Sequence, residues 1–255
     1  MRDLAADAAA LRALHRAGQP LILANVWDVA TAQVVARAGA KAIATSSIAV
    51  AMSHGLPDKD VMPPDVAFGA VAAVSEAVEL PVTADIEAGY QLAAPEMVRR
   101  LLAAGAVGCN IEDTDHHANR GLVPIPEQAE RLASIRAAAT AAGVPVVLNA
   151  RIDLFHDRNA DPASKIEDAV ARGRAYLAAG ADCVYPIFLG DPALVKQFVD
   201  GVGGHVNVNA GRSGATLAEL GALGVSRISA GGGIFFATLN TVKEAAEAMF
   251  EAASA

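Results

Sequence analysis

Short runs of Val, Ile, Leu, Ala and Cys recur along this chain, separated by longer stretches whose apolar residues return every three or four positions. The runs read as buried strands and the stretches as amphipathic helices. One punctuation repeats: an Ala-rich helical segment ends in glycine and a strand follows at once. It is seen in ARAGAKAIATSS (36–47), LAAGAVGCNIED (102–113), TAAGVPVVLNAR (140–151), LAAGADCVYPIF (177–188) and GALGVSRISAGG (221–232). The glycine is a helix C-cap, free to take positive φ, and a buried parallel strand follows it. Strands are predicted at 21–24, 40–45, 82–85, 107–112, 145–149, 182–186, 205–209 and 226–230. Helices are predicted at 28–38, 64–78, 93–104, 126–142, 164–179, 192–200, 215–222 and 235–252, after an N-terminal amphipathic helix. Eight strand–helix pairs without a linker predict an α/β fold, a (β/α)8 TIM barrel in a single domain over 1–255. An open doubly wound sheet usually carries a glycine-rich turn after its first strand, and LILANVWDVATA has none.

Composition sharpens this picture in three ways. Aromatics make up only 4% of 255 residues, so the core must be built from Val, Ile, Leu and Ala. A net charge of −8 speaks against a nucleic-acid groove, which needs a basic stripe. Cys109 and Cys183 fall inside strand-like runs and read as buried, reduced thiols of a cytoplasmic protein. The N-terminus has no signal-peptide core, and the longest uncharged run, 228–242, is too short to span a membrane.

In a barrel, chemistry gathers where strands end, and the polar residues of these strands gather there too. Asp85 and Glu87, in PVTADIEAGY, stand one residue apart at the end of a buried strand; alternation places them on one face. With Glu112 from the next strand they form a carboxylate group suited to magnesium, or to salt bridges with Arg151 and Arg99. The fork of Arg151 suits a substrate carboxylate, a phosphonate or a neighbouring carboxylate. Ser46 and Ser47 could cradle an anion or simply form a turn; Asp58 reads as a loop acid. Asp28 reads as a helix cap, with Trp27 either partly buried or on a pocket wall. Asn207 is among the polar strand-end residues. The loop EDTDHHANRG (112–121) reads as a mobile lid whose His116 or His117 could donate a proton. The triple glycine 231–233 could bind phosphate or allow close packing.

The set NVWD, ATSS, GLPD, TADIEAGY, NIED and LNARID resembles the isocitrate lyase/phosphoenolpyruvate mutase superfamily over about 20–250. That resemblance implies a (β/α)8 barrel in a homo-oligomer, a dimer or a tetramer of swapped dimers exchanging the C-terminal helix. It implies Mg2+, with Mn2+ possible in its place, and a small anionic carboxylate or phosphonate as substrate. By position it makes Asp85 the direct metal ligand, with Asp58, Glu87 and Glu112 holding metal-bound waters. Ser46, Ser47 and Ile48 would grip the substrate carboxylate, and Arg151 would stabilise the developing enolate. The residues themselves, read by position and composition, add Trp27, Asn119, Arg120 and Asn207 as candidates for substrate binding and His116 and His117 as further catalytic candidates.

The chain departs from the family pattern in its lid, which has neither the cysteine of the isocitrate lyases nor the lysine of the mutase. The histidine that the mutase carries after strand six aligns with Pro186. The expectation is carbon–carbon cleavage through a pyruvate-type enolate. Carbon–phosphorus chemistry and a non-catalytic metabolite-binding barrel are the alternatives.

Overall fold

The computed structural model describes residues 2–118, 121–157, 159–212 and 214–254. In chain order the elements are α1 (Leu4–Ala13), β1 (Leu21–Leu23), β2 (Asn25–Val26), α2 (Val29–Arg37), β3 (Ile43–Thr45), α3 (Ser47–Ser53) and α4 (Pro64–Glu76). β4 (Val82–Asp85), α5 (Ala94–Ala103), β5 (Gly108–Glu112), β6 (Thr114–Asp115), β7 (Gly121–Leu122) and α6 (Ile125–Ala141) follow. The chain continues through β8 (Val147–Ile152), α7 (Ile166–Ala178), β9 (Cys183–Pro186), α8 (Pro192–Val202), β10 (His205–Asn209), α9 (Leu217–Ala222), β11 (Arg227–Ser229) and α10 (Gly233–Ser254).

The parallel sheet runs in the order β1-β11-β10-β9-β8-β5-β4-β3-β2. Its two ends are halves of one strand interrupted at Ala24: β1 pairs with β11 and β2 with β3. Eight barrel strands are thereby joined into a ring, as the helix–glycine–strand repeat predicts. The C-cap glycines take positive φ, 77° at Gly105 and 104° at Gly180. At Gly105 a Cβ would come within 2.4 Å of Ser75 Oγ, so glycine is required there by space as well as by backbone. Asp28 caps α2 in a capping box with Thr31, as expected.

Three local features differ from expectation. The strand predicted at 145–149 runs to Ile152, so Arg151 lies within β8 rather than after it. The connection after β3 contains a helix, α3. The loop expected to be a mobile lid, 112–121, includes an antiparallel pair, β6 with β7. Its second residue, Asp113, is fully buried, accepting from Tyr176 at 2.8 Å and Arg172 at 3.0 Å.

The N-terminal end of the barrel is plugged by α1. Leu11 is fully buried with Leu21, Val107 and Val147, and Gly108 leaves it room, since a Cβ there would sit 2.8 Å from Leu11 Cδ2. Arg12 anchors the plug through Asp182 at 2.8 Å. Both cysteines are buried and unpaired. Among the described residues, no helix is long and apolar enough to cross a membrane.

The same plug carries a pH-sensitive group. His15 is buried; its Nδ1 donates to Leu11 O at 3.0 Å, and its Nε2 has no partner. Burial, reinforced by Arg227, lowers its pKa to about 4. A folded value below the unfolded one means that stability is full above about pH 6.5 and falls as pH drops towards 4. The loss is on the order of 2–3 kcal/mol. A His15→Gln variant should therefore show a shallower decline in thermal stability between pH 6.5 and 4. Parallel curves for variant and wild type would assign the acid limb to other groups.

Candidate active site

Register assembles the site. In-register pairing of β5 with β8 sets Glu112 beside Arg151, and that of β8 with β9 sets Arg151 beside Tyr185. Pairing of β4 with β5 sets Asp85 beside Asn110. Asp85, Glu112, Arg151 and Tyr185 lie at or one residue from the C-terminal ends of their strands, with Asn110 two residues before Glu112, and a cavity of about 580 Å3 opens there. Ser46, Ser47, Ile48, Asp58, Asp85, Asn110, Arg151 and Tyr185 line it.

Arg151 is nearly buried and held by three contacts. Its Nε and Nη2 form a fork onto Asp153 at 2.6 and 2.8 Å, and its Nη1 meets Glu112 at 2.6 Å. Burial opposes its charge, yet Asp153 and Glu112 together hold it above the usual guanidinium range. Asp153 is fixed in turn: its backbone N–H donates to Asp113 at 2.8 Å, and Thr114 Oγ1 donates to its carboxylate. A chain of buried contacts thus runs from Tyr176 and Arg172 on α7 through Asp113 and Asp153 to Arg151.

The carboxylates are arranged differently from the alternation argument. β4 ends at Asp85, and Glu87 adopts a left-handed φ of 51°, so the two do not share a strand face. A turn brings them near each other instead. Asp60, itself at φ 55° and buried, holds that turn: its N–H donates to Glu87 Oε2, and its Oδ1 accepts from Tyr90 N at 2.7 Å. Such backbone conformations cost about 1–3 kcal/mol each and are retained where surrounding contacts impose them.

Burial raises the pKa of Glu87 to about 8, with Asp58, Glu112 and Asp85 adding to the rise. Asp58 rises to about 6, through burial and then the charge of Asp85. Glu112 is also raised by burial, against the pull of Arg151. One oxygen each of Asp58, Asp85 and Glu87 is buried without a hydrogen-bond partner. Three acceptors left this way at one place fit a bound cation. Among the described residues no three His, Cys, Asp or Glu side chains form a direct metal cage. The set therefore suits an ion that takes one carboxylate directly and keeps its waters, as Mg2+ does.

Other expected residues fall elsewhere. His116 Nε2 bonds Glu112 Oε1, and His117 Nε2 bonds Asp60 Oδ2 at 2.8 Å; both imidazoles meet carboxylates rather than the cavity wall. Trp27 packs edge-on against Phe235, with ring centroids 5.0 Å apart, which is its partly buried reading. Asn207, expected against the substrate, is fully buried and bonded to Ser229. Two positions further along the same strand, Asn209 reaches the cavity instead. Asn119 and Arg120 lie outside the described residues. The triple glycine serves close packing: Gly231 N–H is taken by Asn25 and Gly233 N–H by Ala230 O. A Cβ at Gly232 would sit 2.9 Å from Ile48 Cγ2.

Three contributors carry no sequence signal that singled them out: Asp60, Arg212 on the cavity wall, and Arg227. The last, almost wholly buried, reaches from β11 across the barrel to Asn110 Oδ1 at 3.2 Å.

Fold and cavity together define a parallel α/β-barrel protein with an acidic, arginine-bearing pocket at the C-terminal mouth of its strands. Residues 11–250 match phosphoenolpyruvate phosphomutase, and the chain belongs to that family, as an enzyme of the phosphoenolpyruvate mutase/isocitrate lyase superfamily. It is 30% identical to 2-methylisocitrate lyase of Escherichia coli K12 over 218 residues, 81% of this chain and 71% of that protein. A Burkholderia cenocepacia J2315 structure provisionally named a phosphonomutase superposes with a TM-score of 0.88 at 37% identity, covering 96% of this chain and 99% of that one. Phosphonopyruvate hydrolase in complex with oxalate and Mg2+ superposes with a TM-score of 0.82 at 25% identity, covering 93% and 84%.

Proposed function

We propose that this protein is a magnesium-dependent lyase that cleaves a carbon–carbon bond in a small 2-oxo or 2-hydroxy carboxylate through a pyruvate-type enolate. Manganese could replace magnesium. The observation that carries the reading is the set of three orphaned, buried carboxylate oxygens on Asp58, Asp85 and Glu87 beside an immobilised Arg151. The likeness to a lyase and to a hydrolase bound to oxalate and Mg2+ supports it.

In this reading Asp85 would hold the ion directly, with Asp58, Glu87 and Glu112 holding its waters. Bound there, the ion supplies Lewis acidity to substrate oxygens. Ser46, Ser47 and Ile48 bind the carboxylate; Ser47 and Ile48 lie in the first turn of α3, where backbone N–H groups lack intrahelical partners. Ser47 Oγ already donates to Asp85 Oδ2 at 3.2 Å, tying the carboxylate end of the substrate to the acidic cluster. When the bond breaks, its electron pair passes into an enolate; the other fragment leaves as a carbonyl compound, its hydroxyl proton taken by a carboxylate of the cluster, and Arg151 stands beside the oxygen that gains charge. The proton that quenches the enolate comes from His116 or His117, whose segment closes over the cavity. His116 suits this because its hydrogen bond to Glu112 raises its pKa. The protein works in the cytoplasm, as a homo-oligomer.

The test is a panel of 2-oxo and 2-hydroxy diacids, with phosphonopyruvate alongside, run with Mg2+ and with EDTA. Release of a 2-oxo acid from a diacid, lost in EDTA and restored by Mg2+, is the expected result. Pyruvate and phosphate released from phosphonopyruvate alone would favour the carbon–phosphorus alternative. Asp85→Asn should abolish both turnover and the Mg2+-dependent rise in melting temperature. An unchanged Mg2+ response in that variant would remove Asp85 from the metal site.

A further inference from the structure

The cavity has a second cationic wall that the residues assigned above leave unused. Arg212 lies in the connection between β10 and α9, and its guanidinium sits over the Phe188 ring, 4.6 Å from the centroid. Phe188, in the connection after β9, adopts a left-handed φ of 66°, and His156 abuts it edge-on with centroids 4.7 Å apart. Three loops from three successive barrel strands therefore converge to seat one arginine at the pocket wall. All three residues line the same cavity as Asp85 and Arg151.

The two arginines differ in what remains free. Every donor-bearing nitrogen of Arg151 faces Asp153 or Glu112. Arg212 makes no ion pair or hydrogen bond with a described residue; the aromatic face is what holds it. Stacking leaves the in-plane N–H groups of a guanidinium available, the geometry in which arginine receives a carboxylate through two parallel hydrogen bonds. In the glycine turn of the same cavity, the Gly231 and Gly233 N–H groups are already taken.

We propose that Arg212, seated on Phe188, is a second anion-binding position that selects substrates carrying a further carboxylate beyond the one held at Ser46 and Ser47. This rests on the lyase reading above and gives the second carboxylate of the diacids tested there a binding position. A single cation, with the neutral side chain of Asn209 beside it on the cavity wall, balances one negative charge, which matches a carboxylate better than a dianionic phosphonate. Arg212 also borders a smaller cavity of about 240 Å3 with Phe188, Asp157 and Lys165, the last two of opposite charge.

The test is calorimetric binding at saturating Mg2+ with probes that differ only in the second carboxylate: malate against lactate, and 2-hydroxyglutarate against 2-hydroxybutyrate. Oxalate reports the first position alone. In the wild type, one diacid should bind about 10–100-fold more tightly than its monoacid, the span expected for a charge-assisted contact. Arg212→Met should close that gap and leave oxalate within about twofold, while Arg212→Lys, which keeps charge but loses the fork, should restore part of it. A gap that survives in Arg212→Met, or a wild type that binds oxalate but shows no gap, overturns this proposal alone. A wild type that binds neither oxalate nor any diacid overturns the lyase reading with it.

Discussion

Replacing Arg151 with lysine is expected to lower turnover about 10²–10³-fold, the cost typical of losing one preorganised contact to developing charge. Lysine keeps the charge but cannot reproduce the fork onto Asp153 and the third contact to Glu112. Alanine is a poorer test than the exposed setting of a typical site arginine would make it. It would leave Glu112 and Asp153, both buried, facing each other without a cation. Breaking a buried pair this way costs about 3–5 kcal/mol, so lost activity in Arg151→Ala would mix catalysis with unfolding. Kinetics on the substrate found by the panel, with melting temperatures alongside, separate the two. Wild-type turnover in Arg151→Lys would remove this residue from the chemistry.

The contrast between Arg151 and Glu87 shows what the sequence makes legible. The barrel could be read because each strand is a run of small and branched apolar residues opened by a C-cap glycine, both local signals. Once the strand order is known, register follows, and Glu112 and Arg151 become neighbours although 39 residues separate them in the chain. Glu87 lies beyond the reach of that logic. Period-two alternation assigns it to the face of Asp85, but the strand stops at Asp85 and the backbone turns left-handed. The contact that holds that turn comes from Asp60, in a loop whose composition reads as generic. Arg212 was illegible for the same reason: its role depends on Phe188 and on two other loops meeting it. Asn207 shows a further limit, since it lies two residues before Asn209 on the same strand and is buried below the cavity wall. Side-chain direction repeats every two residues, whereas distance from the barrel mouth changes with every one.

Removing the chain beyond Thr238 should dissociate the proposed homo-oligomer. α10 is 22 residues long, yet Phe235 is its one buried residue, while Val242, Met249 and Phe250 are 60%, 72% and 70% exposed. An outer barrel helix normally lies against the sheet, and here the corresponding surface is open. Ile22, central in β1, is 44% exposed and opens onto a cavity of about 540 Å3 lined by Leu14, Pro20, Ala24, Val35 and Ala38. An apolar helix without a bed and an apolar bed without a helix, in one chain, fit exchange of α10 between two copies. The cut is placed after Thr238 because Phe235 packs on Trp27 and Phe236 lines the substrate cavity; a deeper cut would damage the site itself. The double substitution Met249→Asp with Phe250→Asp makes the same test without shortening the chain. Light scattering should show the mass falling to that of one chain in both variants, with a melting temperature that no longer rises with protein concentration. A mass unchanged from wild type would place the subunit contact on another face and leave the exposed side of α10 without this explanation.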